Sequence, residues 1–418
     1  MTLISAMQNP RPAASFELGN QSVPKIRLAA FCETSETKDA VTAAMNDRRM
    51  IRARFDTVMG GVKSAILRYR DAPSPDLVII ERKVPGDLLL DELRRLSEVC
   101  DVNTRVIVIS TSNDIRLYRE LLDHGVSDYL VTPVDTTTLI GSIVRLYEEA
   151  GAKQLGRTYA FVGAKGGVGS STIAHNVAAT IADRMNLDVI LADMDLAFGT
   201  AGLDFNIDNV QGIAEALNSG SKLDELQFER LLGKFSNHLN MLTAPATLER
   251  PYDLGEEDFD VLVDIARRSA PHVIFDVPHV WSAWARRMLV VADEVIVTAV
   301  PDLANLRNTK NLVDFLRTAR PNDALPKLVL NQVGIAKRPE IAVGEFAKAI
   351  GIDPVAAIPF EPKQFGKAAN NGRMLFEISP RTSKPFVTIS NALLESGTVK
   401  NRHVKGRGLF SFFPFQKI

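Results

Sequence analysis

Residues 158–182 read TYAFVGAKGGVGSSTIAHNVAATIA. An apolar run gives way to a glycine-rich turn, and the turn to an amphipathic helix opened by Ser171 and Thr172. That order is the setting in which a loop cradles phosphate. Gly166, Gly167 and Gly169, with Val168 among them, let the backbone curl so that successive N–H groups face an anion. The N-terminus of the following helix adds its partial positive charge. Ser171 is placed to bind Mg²⁺ and Thr172 to contact an α-phosphate. Measured against the general pattern G-x-x-x-x-G-K-[ST], the first glycine is Ala164 and the lysine position is Ser170. A lysine survives earlier in the loop, as Lys165. The plain alternative is a glycine-rich connection that merely joins strand to helix. Three carboxylates argue against it. Asp193, Asp195 and Asp276 follow apolar runs (VILADMD and HVIFD), which gathers them on the carboxyl edge of a parallel sheet beside the loop.

These residues need parallel strands to position them, and the chain is rich in Val/Ile runs separated by helical segments. Within 25–149 the strand-like runs are 25–31, 76–81, 105–110 and 128–131, with amphipathic stretches such as IRLYRELLDHG between them, ending at Gly125. Residues 150–156 (AGAKQLG) read as a linker. A second alternation then has strands expected at 158–163, 188–193, 239–244, 272–276, 294–300, 327–331 and 355–359. Strands that are apolar throughout and separated by helices imply parallel sheets covered on both faces. The expected fold is therefore α/β, with two consecutive doubly wound domains. The expected divisions are a flexible arm over 1–23, a first domain over 24–150, a second over 151–398 and a tail over 399–418.

The balance of 49 Lys+Arg against 50 Asp+Glu in 418 residues gives no global attraction to nucleic acid or anionic lipid. With 46% hydrophobic residues, disorder and collagen are excluded as overall classes. The two cysteines, Cys32 and Cys100, form no CxxC, and read as core residues in a reducing compartment. The six histidines show no metal-ligand spacing. Trp281 and Trp284 follow the HVIFD strand three apart, either as core residues or as an interface surface flanked by Arg286 and Arg287. The tail VKNRHVKGRGLFSFFPFQKI combines five Lys/Arg with four Phe and no acid. It suits weak contact with an anionic membrane or a partner groove, or else Phe side chains tucked onto the domain or a disordered end.

The stretches DLVIIERKVPG (76–86), VIVISTS (106–112) and GVSDYLVTPVD (125–135) make the first domain resemble the receiver domain of response regulators, a flavodoxin-like fold. The resemblance implies a phosphoacceptor position at Glu81, a hydroxyl position at Ser110 or Thr111, a lysine position at Thr132 and a cis proline at Pro133. An acidic pair after the first strand is missing, since that strand ends Phe31-Cys32-Glu33. Such a domain is expected not to accept phosphate and to serve either as a docking or dimerising module or as a purely structural unit.

The second domain resembles the MinD/ParA class of P-loop ATPases, whose deviant Walker A loop reads K-G-G-x-G-K-[ST]-[ST]. Lys165 matches the early signature lysine, and Ser170 replaces the second one. The resemblance implies ATP and Mg²⁺ as cofactors, with Lys165 and Gly166 through Thr172 on the phosphates. Asp195 would orient the attacking water, Asp193 would lie near the metal and Asp276 would hold Mg²⁺ through water. Asn331 in LVLNQVG would pair with the base, beside Pro359 and Phe360. It also implies a homodimer in which Lys165 reaches the partner's nucleotide. A receiver-like domain ahead of GAKGGVGSSTIAHN, DMDLAFG, DVPHVWSAWARRML and VPDLANLRNTKNLVDFL resembles the CpaE/TadZ family of pilus-assembly ATPases. That family implies a weak ATPase acting in the cytoplasm, at the cell pole or the inner face of the inner membrane. Its partners would be pilus secretion proteins or a polar marker, with no DNA and at most weak membrane contact. The alternatives are a DNA-partitioning ATPase and a nucleotide-binding regulator that hydrolyses nothing.

Overall fold

A computed structural model of the chain describes residues 23, 25–83, 87–148, 155–207, 212–245, 248 and 252–395. Most of the arm, the tail and most of the 150–156 linker lie outside these residues.

The first sheet has five parallel strands: β1 (Arg27–Cys32), β2 (Arg54–Met59), β3 (Leu77–Arg82), β4 (Arg105–Ser110) and β5 (Asp128–Val131), in the order β2-β1-β3-β4-β5. Helices cover both faces, with separate apolar clusters on each. The sequence reading found four of these strands and missed β2. Its residues RFDTVM are mostly exposed at the sheet edge, so they lack the Val/Ile signature of a buried strand. The Thr132–Pro133 bond is cis.

The second sheet has eight strands: β6 (Arg157–Gly163), β7 (Val189–Asp193), β8 (Gly233–Lys234), β9 (Leu239–Leu242), β10 (His272–Val277), β11 (Glu294–Ala299), β12 (Lys327–Val333) and β13 (Pro354–Pro359). Their order is β13-β12-β11-β6-β10-β7-β9-β8, and only the short β8 runs antiparallel. The seven expected strands are all present; β8 is two residues long and carries no periodicity to read. The helix Ser170–Ala179 departs from the expected amphipathic pattern. Every residue from Ile173 to Ala179 is buried, because it lies between the sheet and the helix Lys384–Glu395. Its helical residues begin at Ser170, one earlier than the expected Ser171.

The two units meet through a buried ion cluster. Arg48 and Arg49 lie in a single 3-10 turn after the first helix. The Arg48 guanidinium pairs with Asp293 at 3.1 Å and with Asp323 at 2.5 Å, and Arg49 reaches Asp323 at 2.5 Å. Asp323 is also held by Arg320 at 3.0 Å, and Asp293 by Arg267 at 3.4 Å. Asn322 donates to Asp47, and Arg52 pairs with Asp264. The Arg48 and Asp293 side chains are 1% and 0% exposed. Burial alone would raise the carboxyl of Asp293, but Arg267 and Arg48 hold it below the ordinary range. Asp293 also bonds the N–H and hydroxyl of Thr158 at the start of β6 (2.8 and 3.0 Å). Most of these residues sit at the amino ends of β2, β6, β11 and β12, and Asp264 and Arg267 lie in the helix Asp260–Ser269 that leads into β10, so the units join on the amino side of these strands.

Candidate functional site

The site grows from β6, which is buried almost throughout and lies between β10 and β11. The chain leaves it through Ala164–Gly169. Gly167 has φ +79° and Gly169 φ +86°, the left-handed region that glycine adopts without strain. A Cβ on Gly166 or Gly167 would meet nothing within 4 Å, whereas one on Gly169 would lie 2.5 Å from the amide nitrogen of Asn331. The loop's carbonyls are tied from outside. Asn331 Nδ2 donates to Val168 O (2.8 Å), Gln332 Nε2 to Gly167 O (3.1 Å) and Asn308 Nδ2 to Ala164 O (2.9 Å). His279 Nδ1 lies 2.9 Å from Gly163 O. Carbonyls bonded outward favour an inward N–H face, the cradle an anion needs. Lys165 is exposed on the loop, and the hydroxyl of Ser170 is buried without a hydrogen-bond partner. Ser171 and Thr172 follow, both half-buried.

Beside the loop a cleft of about 140 Å³ is lined by Gly169, Thr172, Asn331, Pro359, Phe360 and Phe365. Four residues expected near an α-phosphate or a base, from three distant parts of the sequence, are thus brought together. Asn331 has a second role that sequence reading missed: it is buried, and its amide holds the loop.

The carboxylates come from β7 and β10, where Asp193 and Asp276 are register partners and both are buried. Burial, then the neighbouring Asp276 charge, push Asp193 up to about 7. Its two oxygens accept from Asp195 N (3.2 Å) and Ala201 N (3.0 Å), so Asp193 is committed to the loop that follows it. Asp195 in turn accepts from Phe198 N (3.0 Å). A Cβ on Gly199 would lie 2.4 Å from an Asp193 oxygen, which explains glycine there. The donor set of Ser171, Asp193 and Asp276 is all oxygen. Adjacent buried acids favour a hard divalent cation, which relieves their mutual repulsion, so these residues fit Mg²⁺.

His175 is the polar residue the sequence reading passed over. It is 1% exposed, with Nδ1 2.8 Å from Asp204 Oδ2 and Nε2 3.3 Å from Asp276 Oδ2. Burial opposes a charge on the ring, yet the carboxylates on its two nitrogens raise its pKa to about 10. The two tryptophans separate. Trp284 packs against Phe259 in the core, whereas Trp281 precedes the helix Ala283–Val291 and is 57% exposed, edge-on to Phe315. Arg286 lies over the Trp281 ring, and Arg287 pairs with Asp260.

A profile described as "AAA domain" matches residues 156–327. A ParA family ATPase from Chlorobium tepidum TLS superposes with TM-score 0.52 at 24% identity, over 58% of this chain and 99% of that one. The septum site-determining protein MinD complexed with Mg-ADP from Pyrococcus horikoshii OT3 gives TM-score 0.50 at 19% identity, over 59% and 100%. The second unit has the fold of these MinD and ParA proteins. The pilus assembly protein CpaE from Caulobacter crescentus CB15 is 40% identical over 30% of this chain and 96% of that one, with TM-score 0.30. In this unit β6 carries the glycine-rich loop, and β7 and β10 carry the acids.

Proposed function

We propose that the chain is an ATP- and Mg²⁺-binding switch that pairs with a second copy through its MinD/ParA-like domain, hydrolyses slowly and helps to localise and assemble a tight-adherence pilus. The observation that carries the nucleotide reading is the junction of the open glycine cradle with the cleft lined by Thr172, Asn331 and Phe360. A triphosphate fits the first and a base the second. Bound Mg²⁺ would be held by Ser171 and Asp276, with Asp193 beside them, and would neutralise charge on the β- and γ-phosphates.

Slow turnover follows from Ser170. Phosphoryl transfer depends on cations placed against the charge that develops, and each tenfold in rate is about 1.4 kcal/mol of barrier. A serine hydroxyl supplies no charge there, while exposed Lys165 remains available to a partner's nucleotide. Binding suffers less, because backbone N–H groups and the metal still hold the phosphates. Asp195 is the water-orienting residue in this reading. Nucleotide titration of the full chain should give binding with slow release of phosphate, and Asp195→Ala should abolish the release while leaving binding largely intact. Failure of the wild type to bind ATP in the presence of Mg²⁺ refutes the reading.

The first unit is read as a receiver-like domain that takes no phosphoryl group. Glu81 supports this: its carboxylate accepts from Glu33 N (2.6 Å), Thr34 N (2.8 Å), Thr34 Oγ1 (2.6 Å) and Thr37 Oγ1 (2.7 Å). Burial would raise this carboxyl, but those hydrogen bonds from Thr34, Thr37 and Glu33 hold it below the ordinary range. The acid thus closes its own loop, and Thr132 offers no cation to a phosphate. Stoichiometric phosphorylation by a small phosphodonor is the contrary result. The pilus role rests on the run of motifs from GAKGGVGSSTIAHN to VPDLANLRNTKNLVDFL behind such a domain. Its test is deletion of the chain in its host, followed by counting of surface pili and of polar foci of the secretion ATPase. Among the described residues no helix is long and apolar enough to cross a membrane.

A further inference from the structure

His175 stands on the helix that begins at the glycine-rich loop, one turn beyond Ser171. Its ring touches two elements that are far apart in the chain. Nδ1 is hydrogen-bonded to Asp204, in the short helix Ala201–Asp204. Nε2 faces Asp276 at the end of β10, at 3.3 Å but without the alignment of a hydrogen bond. The ring also packs on Phe205 with centroids 5.6 Å apart, and Phe205 lies edge-on to Phe235 at 4.7 Å. The short helix is fixed at its other end by Ala201 N on Asp193. It and the loop before it present Phe198 and Leu203, which are 74% and 77% exposed.

From this geometry we infer that His175 is a positioning residue that couples the Asp276 carboxylate to the helix Ala201–Asp204, so that a cation drawn to Asp276 resets the surface bearing Phe198 and Leu203. The inference rests on the nucleotide reading and adds the route by which occupancy is sensed. A ring that is 1% exposed and wedged against Phe205 has no room to turn independently of its neighbours. Movement of Asp276 toward a metal changes one face of the ring, and the other face holds Asp204. Close packing converts such a small displacement into a shift of one discrete arrangement to another. Asp193 connects to the same helix from its opposite end, so both acids of the site report to one element.

The test uses the full chain as wild type, His175→Gln and Asp204→Asn, the last altering a residue whose side chain is 27% exposed. ADP affinity is measured by calorimetry in EDTA and in Mg²⁺, and hydrogen exchange of amides 198–206 is followed under the same two conditions. In the wild type, Mg²⁺ added to the ADP complex should slow exchange of these amides by about tenfold, an ordinary coupling strength. In both variants that Mg²⁺-dependent change should shrink to about threefold or less, while ADP affinity in EDTA stays within about threefold of wild type. Variants that bind ADP and retain the full Mg²⁺-dependent protection overturn the coupling. So does a uniform rise in exchange throughout the domain with the Mg²⁺ difference preserved, which marks a residue that only fills space. A wild type that binds no ADP overturns the nucleotide reading and this inference together.

Discussion

Arg48→Ala removes the centre of the ion cluster that joins the two units. The arginine is 1% exposed and bridges Asp293 and Asp323 at 3.1 and 2.5 Å. Deleting one partner of a buried pair costs about 3–5 kcal/mol, because the remaining charge keeps its desolvation penalty. Here the carboxylates retain other donors: Arg49 and Arg320 on Asp323, and Arg267 with Thr158 on Asp293. The expected loss therefore lies near the low end, about 3 kcal/mol, or roughly a hundredfold in the docking equilibrium. Arg48→Lys keeps the charge but not the fork that engages two carboxylates, and should lose part of this. Urea unfolding followed by circular dichroism reports both units, and tryptophan fluorescence reports only the second, which holds Trp281 and Trp284. In the wild type the two signals should fall together. In Arg48→Ala the circular dichroism should begin to fall first, as the first unit separates and unfolds on its own. Coincident transitions with less than about 1 kcal/mol lost would show that the cluster is not what holds the units together.

Lys165→Ala should reduce ATP-dependent pairing in sedimentation velocity while leaving monomer affinity for nucleotide much closer to wild type; brisk hydrolysis by monomer, unchanged in this variant, contradicts the cross-subunit role. Gly199→Ala places a methyl 2.4 Å from Asp193 and 2.5 Å from Ala244, so it should destabilise the domain by about 1–3 kcal/mol and raise protease sensitivity around residues 195–205. His272 is pushed down to about 4 by burial and by Arg157, below its unfolded value near 6.5. The unfolded chain then binds the extra proton between these values, so stability should fall as pH drops from about 6.5 to 4. His272→Gln should flatten that slope in melting curves, and an unchanged slope would assign it to other groups.

Much of the site was legible because its chemistry constrains residue type at fixed spacing. A phosphate cradle needs glycines where φ is positive, and Gly167 and Gly169 are there. Buried parallel strands need Val and Ile, which is why β3, β4, β10 and β11 could be read from their runs. What escaped reading depends on partners distant in sequence. Nothing in the sequence marked His175 and Asn176, whose partners are Asp204 and the Leu375 N–H. Arg48 and Arg49 carried no signal in the sequence, since Asp293 and Asp323, which anchor them across the two units, lie more than two hundred residues away. Edge strand β2 is half polar and carries no signal of its own.

Joining the sheets amino edge to amino edge has a geometric consequence for any assembly. The glycine-rich loop follows β6 and the Glu81 loop follows β3, so each lies on the carboxyl edge of its own sheet and away from the ion cluster. In the proposed pair, closed through the nucleotide face, the first units would lie away from the contact. Such a pair would carry two copies of the first unit, suited to linking two separate partners. Its avidity would then come from arrays of partners spaced along a surface, and would vanish for an isolated one.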